Sequence, residues 1–389
     1  TSFPAILADL LISTLNPICF SWITSPAATE LEQRVMEWLR DAMTLPKNWV
    51  GVIQDTASTA TLVSILTARE KITNYQVNTS GLNNQPQFIV YCSEEAHSSI
   101  EKGVKIAGIG KNNIRKIKVD EQYALLPNEL EDAIIRDKAY GFTPLCVIAT
   151  IGTTGSTAID PLEPIGNICQ QHNIWLHIDA ALAGTALFLE DMRGMIKGIE
   201  KADSFVFNAH KWMFSGFDLS CYFVKDEEAL VRTFEILPEY LTYKEDKIVH
   251  NYRDWGIQLG RKFRALRLWF LIREHGIDGI RKKIRFHLQL TQELKKDIEK
   301  EGQFEILAPV PLNTVCFRFK PENINEHDLL NDLNFSLLEK VNETGQVYLT
   351  HTKLAGNFTI RFVIGQTNVE RKHVIKAWEL IKKTAYSLI

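Results

Sequence analysis

The sequence has 389 residues, 45% hydrophobic and 23% charged, with a formal net charge of -3. That length is enough for two or three domains, and that composition suits a protein with a large buried core. The near-balance of charge leaves no basic footprint for nucleic acid or for an acidic membrane surface.

In chain order, TSFPAILADLL has neither an initiator Met nor a basic-then-apolar leader. It reads like the inside of a domain, with residues expected upstream. Thr29-Glu30-Leu31-Glu32 fits a capping box, which predicts Thr29 as the cap of a helix with Leu31, Val35, Leu39 and Met43 on one face. Pro46 ends it. A second helix is predicted from about Ser58 to Glu70. Six short β-type runs follow: QFIVYC (87–92), IRKIKV (114–119), LCVIATI (145–151), IWLHID (174–179), SFVFN (204–208) and SCYFV (220–224). Helical stretches such as Pro127–Ile135 and Ile165–His172 lie between them. Apolar strands alternating with helices predict a mostly parallel sheet covered on both faces. Lys262 to about Glu301 reads as long helical structure interrupted near Gly276-Ile277-Asp278-Gly279. FEILAP, NTVCFRF, QVYLTHT and FTIRFVI suggest a second, smaller sheet, and Val369–Leu388 a closing helix. The fold class expected is α/β: an N-terminal segment (1–45), a large α/β domain (46–285) and a small C-terminal α+β domain (286–389).

The six cysteines (Cys19, Cys92, Cys146, Cys169, Cys221, Cys316) form no C-x-x-C pair, and several lie in apolar runs. Such thiols behave as small buried hydrophobes. The pattern points to a reducing, cytoplasmic compartment and away from a disulfide framework or a metal site. No apolar stretch reaches about 18 residues, so no membrane helix is expected.

Ligands of open α/β sheets bind outside the carboxyl ends of parallel strands. Four groups of reactive residues follow predicted strands there: His97 in SEEAHSS, Thr153 and Thr154 in IGTTG, Asp179 at the end of IWLHID, and Asn208, His210 and Lys211 in NAHKW. Alone, each has an ordinary explanation as a cap or a solvated side chain. Together they meet the needs of pyridoxal 5'-phosphate. An amine holds the aldehyde as an imine. A buried carboxylate favours the protonated pyridine nitrogen, and an imidazole can stack on the ring. The phosphate wants N–H groups at a helix N-terminus, which Thr56-Ala57-Ser58-Thr59 offers at the start of the second helix. No G-x-x-x-x-G-K-[ST] is present, and no G-x-G-x-x-G opens the first βα unit, which disfavours nucleotide folds.

At these residues the sequence resembles the group II pyridoxal-phosphate-dependent amino-acid decarboxylases, most closely the aromatic-L-amino-acid decarboxylase branch. WLHIDAALAG (175–184) and DSFVFNAHKW (203–212) carry the resemblance, with 32 residues from Asp179 to Lys211. Further matches keep the same order: SFPAILADLL (2–11), ICFSW (18–22), SPAATELE (25–32), GVIQDTAS (51–58), EEAHSS (94–99), TIGTTG (150–155), LPEYL (237–241) and YRDWGIQLGRKFRAL (252–266). A looser match follows at FTIRFVIGQTNVE (358–370).

The resemblance implies the PLP-dependent transferase fold (fold type I), with a seven-stranded-type, mostly parallel sheet and a small C-terminal domain. It implies that Lys211 holds the cofactor, Asp179 pairs with the pyridine nitrogen, and His97 stacks on the ring and helps place the substrate carboxylate. Ala57 and Ser58 would hold the phosphate, with Thr154, Asn208 and His210 completing the cofactor shell. Ile18 and Phe20 match positions that line the substrate pocket of the partner subunit in a homodimer. Tyr240 matches a partner-loop tyrosine that protonates the carbanionic intermediate, and tyrosine there favours simple decarboxylation over aldehyde synthesis.

The sequence departs from that pattern in several places. The sequence begins inside the family pattern, so the N-terminal helical segment is expected either upstream of it or reduced; the stretch between LPKNW and GVIQ is short, and so is that from Tyr240 to Tyr252. Asp55 stands where many relatives have glycine, and Leu182 where an aromatic is common. Phe20, Trp22 and Gly260 suggest an open, apolar pocket for an aromatic substrate. The alternatives are a glutamate or histidine decarboxylase, an aldehyde synthase, an aminotransferase using Arg361 as a carboxylate clamp, or a catalytically silent homologue.

Overall fold

The computed structural model describes residues 1–236 and 249–389. The chain divides into two compact units. The first comprises Thr1–Asp120, Ala124–Ile151 and Asp160–Ile280, and the second Glu121–Tyr123, Gly152–Ile159 and Arg281–Ile389.

The first unit carries a seven-stranded sheet: β1 (Val50–Gln54), β2 (Phe88–Ser93), β3 (Ile114–Ile117), β4 (Thr143–Thr150), β5 (Trp175–Asp179), β6 (Ser204–Phe207) and β7 (Ser220–Val224). Their spatial order is β1-β7-β6-β5-β4-β2-β3. β2 to β6 run parallel, and β7 runs antiparallel to both β6 and β1. Strands β2, β5, β6 and β7 are buried along their whole length, as expected where both faces are covered. β1 is the strand that sequence reading does not reach, because five residues beginning Val50-Gly51 give no alternation.

The helix Ala57–Ile72 follows β1 and packs its Ala60, Val63 and Ala68 into the apolar cluster containing Val90, Ile148, Val206 and Tyr222. Burial of this helix fixes its N-terminus over the carboxyl ends of the strands. The predicted cap at Thr29 is not observed. The helix runs Pro26–Ala42, its N-cap is Ser25, and Thr29 Oγ1 donates to Ser25 O at 3.1 Å. Pro26 explains the earlier start, since its fixed φ is preorganised for the first helical position. Glu32, read as the far end of the capping box, is instead buried and takes the N–H of Ile53 at 2.8 Å and the Arg261 guanidinium. One buried carboxylate thus ties this helix to β1. All six cysteines are buried.

The second unit carries a four-stranded antiparallel sheet of β8 (Phe304–Ile306), β9 (Thr314–Phe319), β10 (Thr350–Leu354) and β11 (Asn357–Val363), ordered β10-β11-β9-β8. Its core joins Phe317, Phe319, Ile360 and Trp378. The helix His327–Glu343 was not legible from the sequence, because Asn334 interrupts its apolar stripe. That amide is buried, and it takes the N–H of Phe319 at 2.7 Å and donates to Phe319 O at 2.8 Å. The long run Ala265–Lys300 is broken, as the sequence suggests, by the non-helical Gly276 at φ 62°.

Candidate active site

The parallel register sets the site. Thr150 on β4 lies beside Asp179 on β5, which lies beside Val206 on β6. One edge of the sheet therefore collects the ends of these strands, the His97 turn after β2, and the Asn208–Lys211 turn after β6. Because β1 and β7 are antiparallel to each other, Gln54 at the end of β1 meets Ser220 at the start of β7 on this same edge.

Asp179 is 5% exposed. Its Oδ1 accepts the Ala181 N–H at 3.0 Å. Burial pushes its carboxyl above the usual range, while the Lys211 charge, the Ala181 N–H and His97 pull the other way. These opposing effects place Lys211 and His97, from two other strand ends, within electrostatic reach of one buried carboxylate.

Lys211 stands on the short helix Ala209–Trp212, where Ala209 and Trp212 are buried and Lys211 is exposed. Its N–H donates to Asn208 O at 3.0 Å. Asn208 is buried, donates its N–H to Ala181 O at 3.0 Å, and accepts the Ser220 hydroxyl on Oδ1. The turn after β5 is thus hydrogen-bonded to the turn that carries the lysine. Gly184 closes this arrangement, because a Cβ there would meet Phe207 Cβ at 2.3 Å.

His97 Nδ1 accepts the Ser99 N–H at 3.1 Å and lies 2.8 Å from Ser99 Oγ. This fixes the ring and leaves its proton on Nε2. His210 is committed to Leu219: its N–H donates to Leu219 O at 3.2 Å and its Nδ1 accepts the Leu219 N–H at 2.9 Å. Burial lowers the His210 pKa.

The helix Ala57–Ile72 begins with Thr56 as its cap, the hydroxyl taking the Thr59 N–H at 3.3 Å. The first turn of a helix has no intrahelical acceptors for its N–H groups. Those of Ala57 and Ser58, beside the exposed Ser58 hydroxyl, are the ones suited to an anion. An amine, a buried carboxylate, an imidazole and an anion-accepting helix start on one sheet edge fit pyridoxal phosphate.

Other sequence-derived residues lie elsewhere. Thr154 is exposed on the 152–159 turn of the second unit, where Thr153 does the structural work by accepting the Ala158 N–H at 3.0 Å. Arg361 belongs to β11 and donates to Thr350 Oγ1 at 3.0 Å. Ile18 is 58% exposed and Phe20 half-buried, on a loop fastened by the Arg253 N–H to Phe20 O at 2.9 Å and by Asn251 Oδ1 to the Ser21 hydroxyl and the Trp22 N–H, each at 3.0 Å. Tyr240 lies outside the described residues.

Two buried groups on this edge were missed in the sequence. Thr150 Oγ1 has no hydrogen-bond partner among the described residues. Asp160 receives the N–H groups of Thr150 and Leu125 at 2.7 and 2.8 Å, and burial pushes it up to about 6. A hydroxyl at a strand end carries no pattern that distinguishes it from a core threonine.

Residues 1–320 match the pyridoxal-dependent decarboxylase conserved domain. The chain belongs to that family. It is 42% identical over 395 residues to tyrosine decarboxylase 2 of Arabidopsis thaliana, covering 99% of this chain and 72% of the relative. It is 39% identical to phenylacetaldehyde synthase of the same plant, covering 100% and 80%. The crystal structure of Oryza sativa TDC with PLP and tryptamine superposes with a TM-score of 0.96 at 33% identity, covering 100% of this chain and 82% of that one. The protein is thus a PLP-dependent amino-acid decarboxylase of fold type I, and the expected sheet architecture is the one observed. Among the described residues, no helix is long and apolar enough to cross a membrane.

Proposed function

We propose that this decarboxylase removes the carboxylate of an aromatic L-amino acid, releasing the amine and carbon dioxide, in a cytoplasmic homodimer whose active sites lie at the subunit interface. The observation that carries the residue assignment is the strand register, which brings the buried Asp179 to the same sheet edge as the turns that bear His97 and Lys211. Pyridoxal phosphate, when bound, supplies the electron sink for the pair left on Cα as carbon dioxide departs.

The chain's own residues then have separate tasks. Lys211 would supply the amine that holds the cofactor aldehyde. Asp179 would pair with the pyridine nitrogen and favour its protonated form. His97, with Nδ1 committed to Ser99, would be the residue to stack on the ring, leaving Nε2–H available for the substrate carboxylate. The N–H groups of Ala57 and Ser58 hold the phosphate. Asn208 and His210 set the turn that aims Lys211. Ile18 and Phe20 reach the partner's substrate pocket, and Tyr240 delivers the proton to Cα.

An aromatic substrate is supported by the relatives' names. The six buried thiols suit a reducing compartment.

The test adds pyridoxal phosphate and screens tryptophan, tyrosine, dopa, phenylalanine, histidine and glutamate for carbon dioxide release. Amine from an aromatic substrate is expected, with the absorbance of the lysine-bound cofactor lost in Lys211→Ala. Turnover confined to glutamate or histidine would refute the substrate assignment. The aldehyde-synthase relative supports a second reading, oxidative release of an aldehyde. Tyr240 in this chain favours the amine, so Tyr240→Phe is expected to divert product to aldehyde and peroxide. A variant still giving only amine would remove Tyr240 from the proton-donor role.

A further inference from the structure

Next to the helix start that suits a phosphate stands an acidic side chain, Asp55, in the turn between β1 and the helix Ala57–Ile72. An anion beside an anion site opposes binding unless its charge is restrained. Both carboxylate oxygens of Asp55 are engaged. Oδ1 accepts the Thr56 N–H at 2.5 Å, and Oδ2 accepts Gln258 Nε2 at 2.8 Å. The Asp55 carbonyl takes the Ser220 hydroxyl at 3.3 Å, the same hydroxyl that reaches Asn208 three residues before Lys211. Asp55 is therefore wired by its backbone to the lysine turn and by its side chain to the 256–260 segment. Among the described residues Gln258 is the one side-chain amide that donates to this carboxylate, and Gln258 is itself exposed.

We propose that Asp55 and Gln258 form a charge-restraining clasp beside the phosphate cradle, in which Gln258 holds the Asp55 carboxylate against the Thr56 N–H and the remaining charge sets how firmly the cofactor phosphate is retained. Asp55 is a positioning residue, and it acts on the phosphate end of the cofactor and not on the aldehyde end. The inference rests on the reading that Ala57 and Ser58 receive the phosphate.

The phosphate-specific claim separates an electrostatic role from a structural one. Pyridoxal carries the same ring and aldehyde without the phosphate, so both ligands can bind Lys211 and report by the absorbance of the bound aldehyde. Full-length protein and its variants are titrated with each ligand at low and at high salt. Asp55→Asn keeps an acceptor for the Thr56 N–H and lets Gln258 turn its amide to match. It is expected to bind pyridoxal phosphate about three- to thirty-fold more tightly at low salt, the order expected for removing one like charge from a partly screened site. The gain shrinks at high salt, and pyridoxal affinity stays unchanged. Gln258→Ala frees the carboxylate and is expected to weaken pyridoxal phosphate by a similar factor, with no loss when Asp55→Asn is also present.

Equal changes for the two ligands would show a structural role and overturn the proposal, as would no change for either. Ser58→Asp serves as the calibrating variant, because it sets a carboxylate on the cradle itself while suiting a helix first turn. If it weakens only the phosphorylated ligand and Asp55→Asn does nothing, the clasp is wrong and the cradle stands. If Ser58→Asp shows no preference between the ligands, the cradle assignment falls and the clasp falls with it.

Discussion

On β5 three alternate side chains, Trp175, His177 and Asp179, share one face of the sheet by the two-residue period of a strand. Only the last belongs to the site. His177 is fully buried, with Nδ1 at 2.9 Å from Ser204 Oγ and Nε2 at 3.4 Å from Thr61 Oγ1. Trp175 Nε1 donates to Ser64 Oγ at 2.8 Å, and Ser64 Oγ lies 2.9 Å from Ser204 Oγ. These hydroxyls and rings join β5 and β6 to the helix Ala57–Ile72. Burial drives the His177 imidazole down to about 3, so it stays neutral in the fold. An unfolded histidine takes up a proton below about 6.5. Between these values the unfolded chain binds more protons, so stability falls as pH drops from about 6.5 toward 3, by up to about 1.4 kcal/mol per pH unit. Above about 6.5 the contribution is complete and constant. His177→Gln replaces the imidazole by an amide that can hydrogen-bond but cannot titrate, so its Tm should lie below that of the parent at pH 7.5 and the gap should narrow by pH 5. A gap of constant size would assign the acid sensitivity to other groups.

At the scale of elements, the turns at the strand ends hold the chemistry while the strands hold the turns. The residues proposed for the cofactor site stand out in the sequence because their types are scarce at the ends of apolar strands, as at His97, Asp179 and Lys211. Thr29 misled because Ser and Thr are common both as caps and within first turns, and the proline three residues earlier decided the start. β7 read correctly as a strand, but nothing in SCYFV distinguishes an antiparallel from a parallel buried strand, and the meeting of Gln54 with Ser220 depends on that direction. The commitments of Glu32, Asn251 and Asp160 were illegible for a different reason. Each satisfies backbone N–H groups or hydroxyls brought near by the fold, and such partners leave no local sequence pattern. Gly184 shows how tightly the element spacing is set. Gly184→Ala would drive Cβ into Phe207 on β6, at the end of the turn that hydrogen-bonds to Asn208. A loss of about 1–3 kcal/mol is expected in denaturant unfolding. Weaker cofactor retention should accompany it, since the Asp179 and Asn208 turns shift together. Unchanged stability would mean that β6 yields without cost.

For the molecule as a whole, the first helix poses the largest physical problem. Phe3–Leu15 buries Pro4, Ala5, Ala8 and Ile12 against its own chain. Apart from Asp9, Ser13 and Thr14, the rest of it is apolar and largely exposed: Phe3 is 70% exposed, Ile6 48%, Leu10 61% and Leu15 64%, with Ile18 just beyond at 58%. An exposed apolar patch of this kind on one chain marks an interaction surface. Its position next to Ile18 and Phe20 argues for a second copy as the occupant, since those residues are proposed to enter the partner's site. The helix is also firmly attached to its own chain. Asp9 takes the buried Arg267 guanidinium through Oδ1 at 2.6 Å, so the apolar face is presented on a fixed base and does not fold back. Leu10→Glu with Leu15→Glu places two charges on the exposed face without touching Asp9 or the buried side. Sedimentation should then move from dimer toward monomer, with catalytic turnover lost at least tenfold while the single chain keeps its far-ultraviolet circular dichroism. Arg267→Ala supplies the contrast, because it loosens the helix base and should lower the Tm as well as the dimer fraction. A parent protein that sediments as an active monomer would refute both the interface and the shared site.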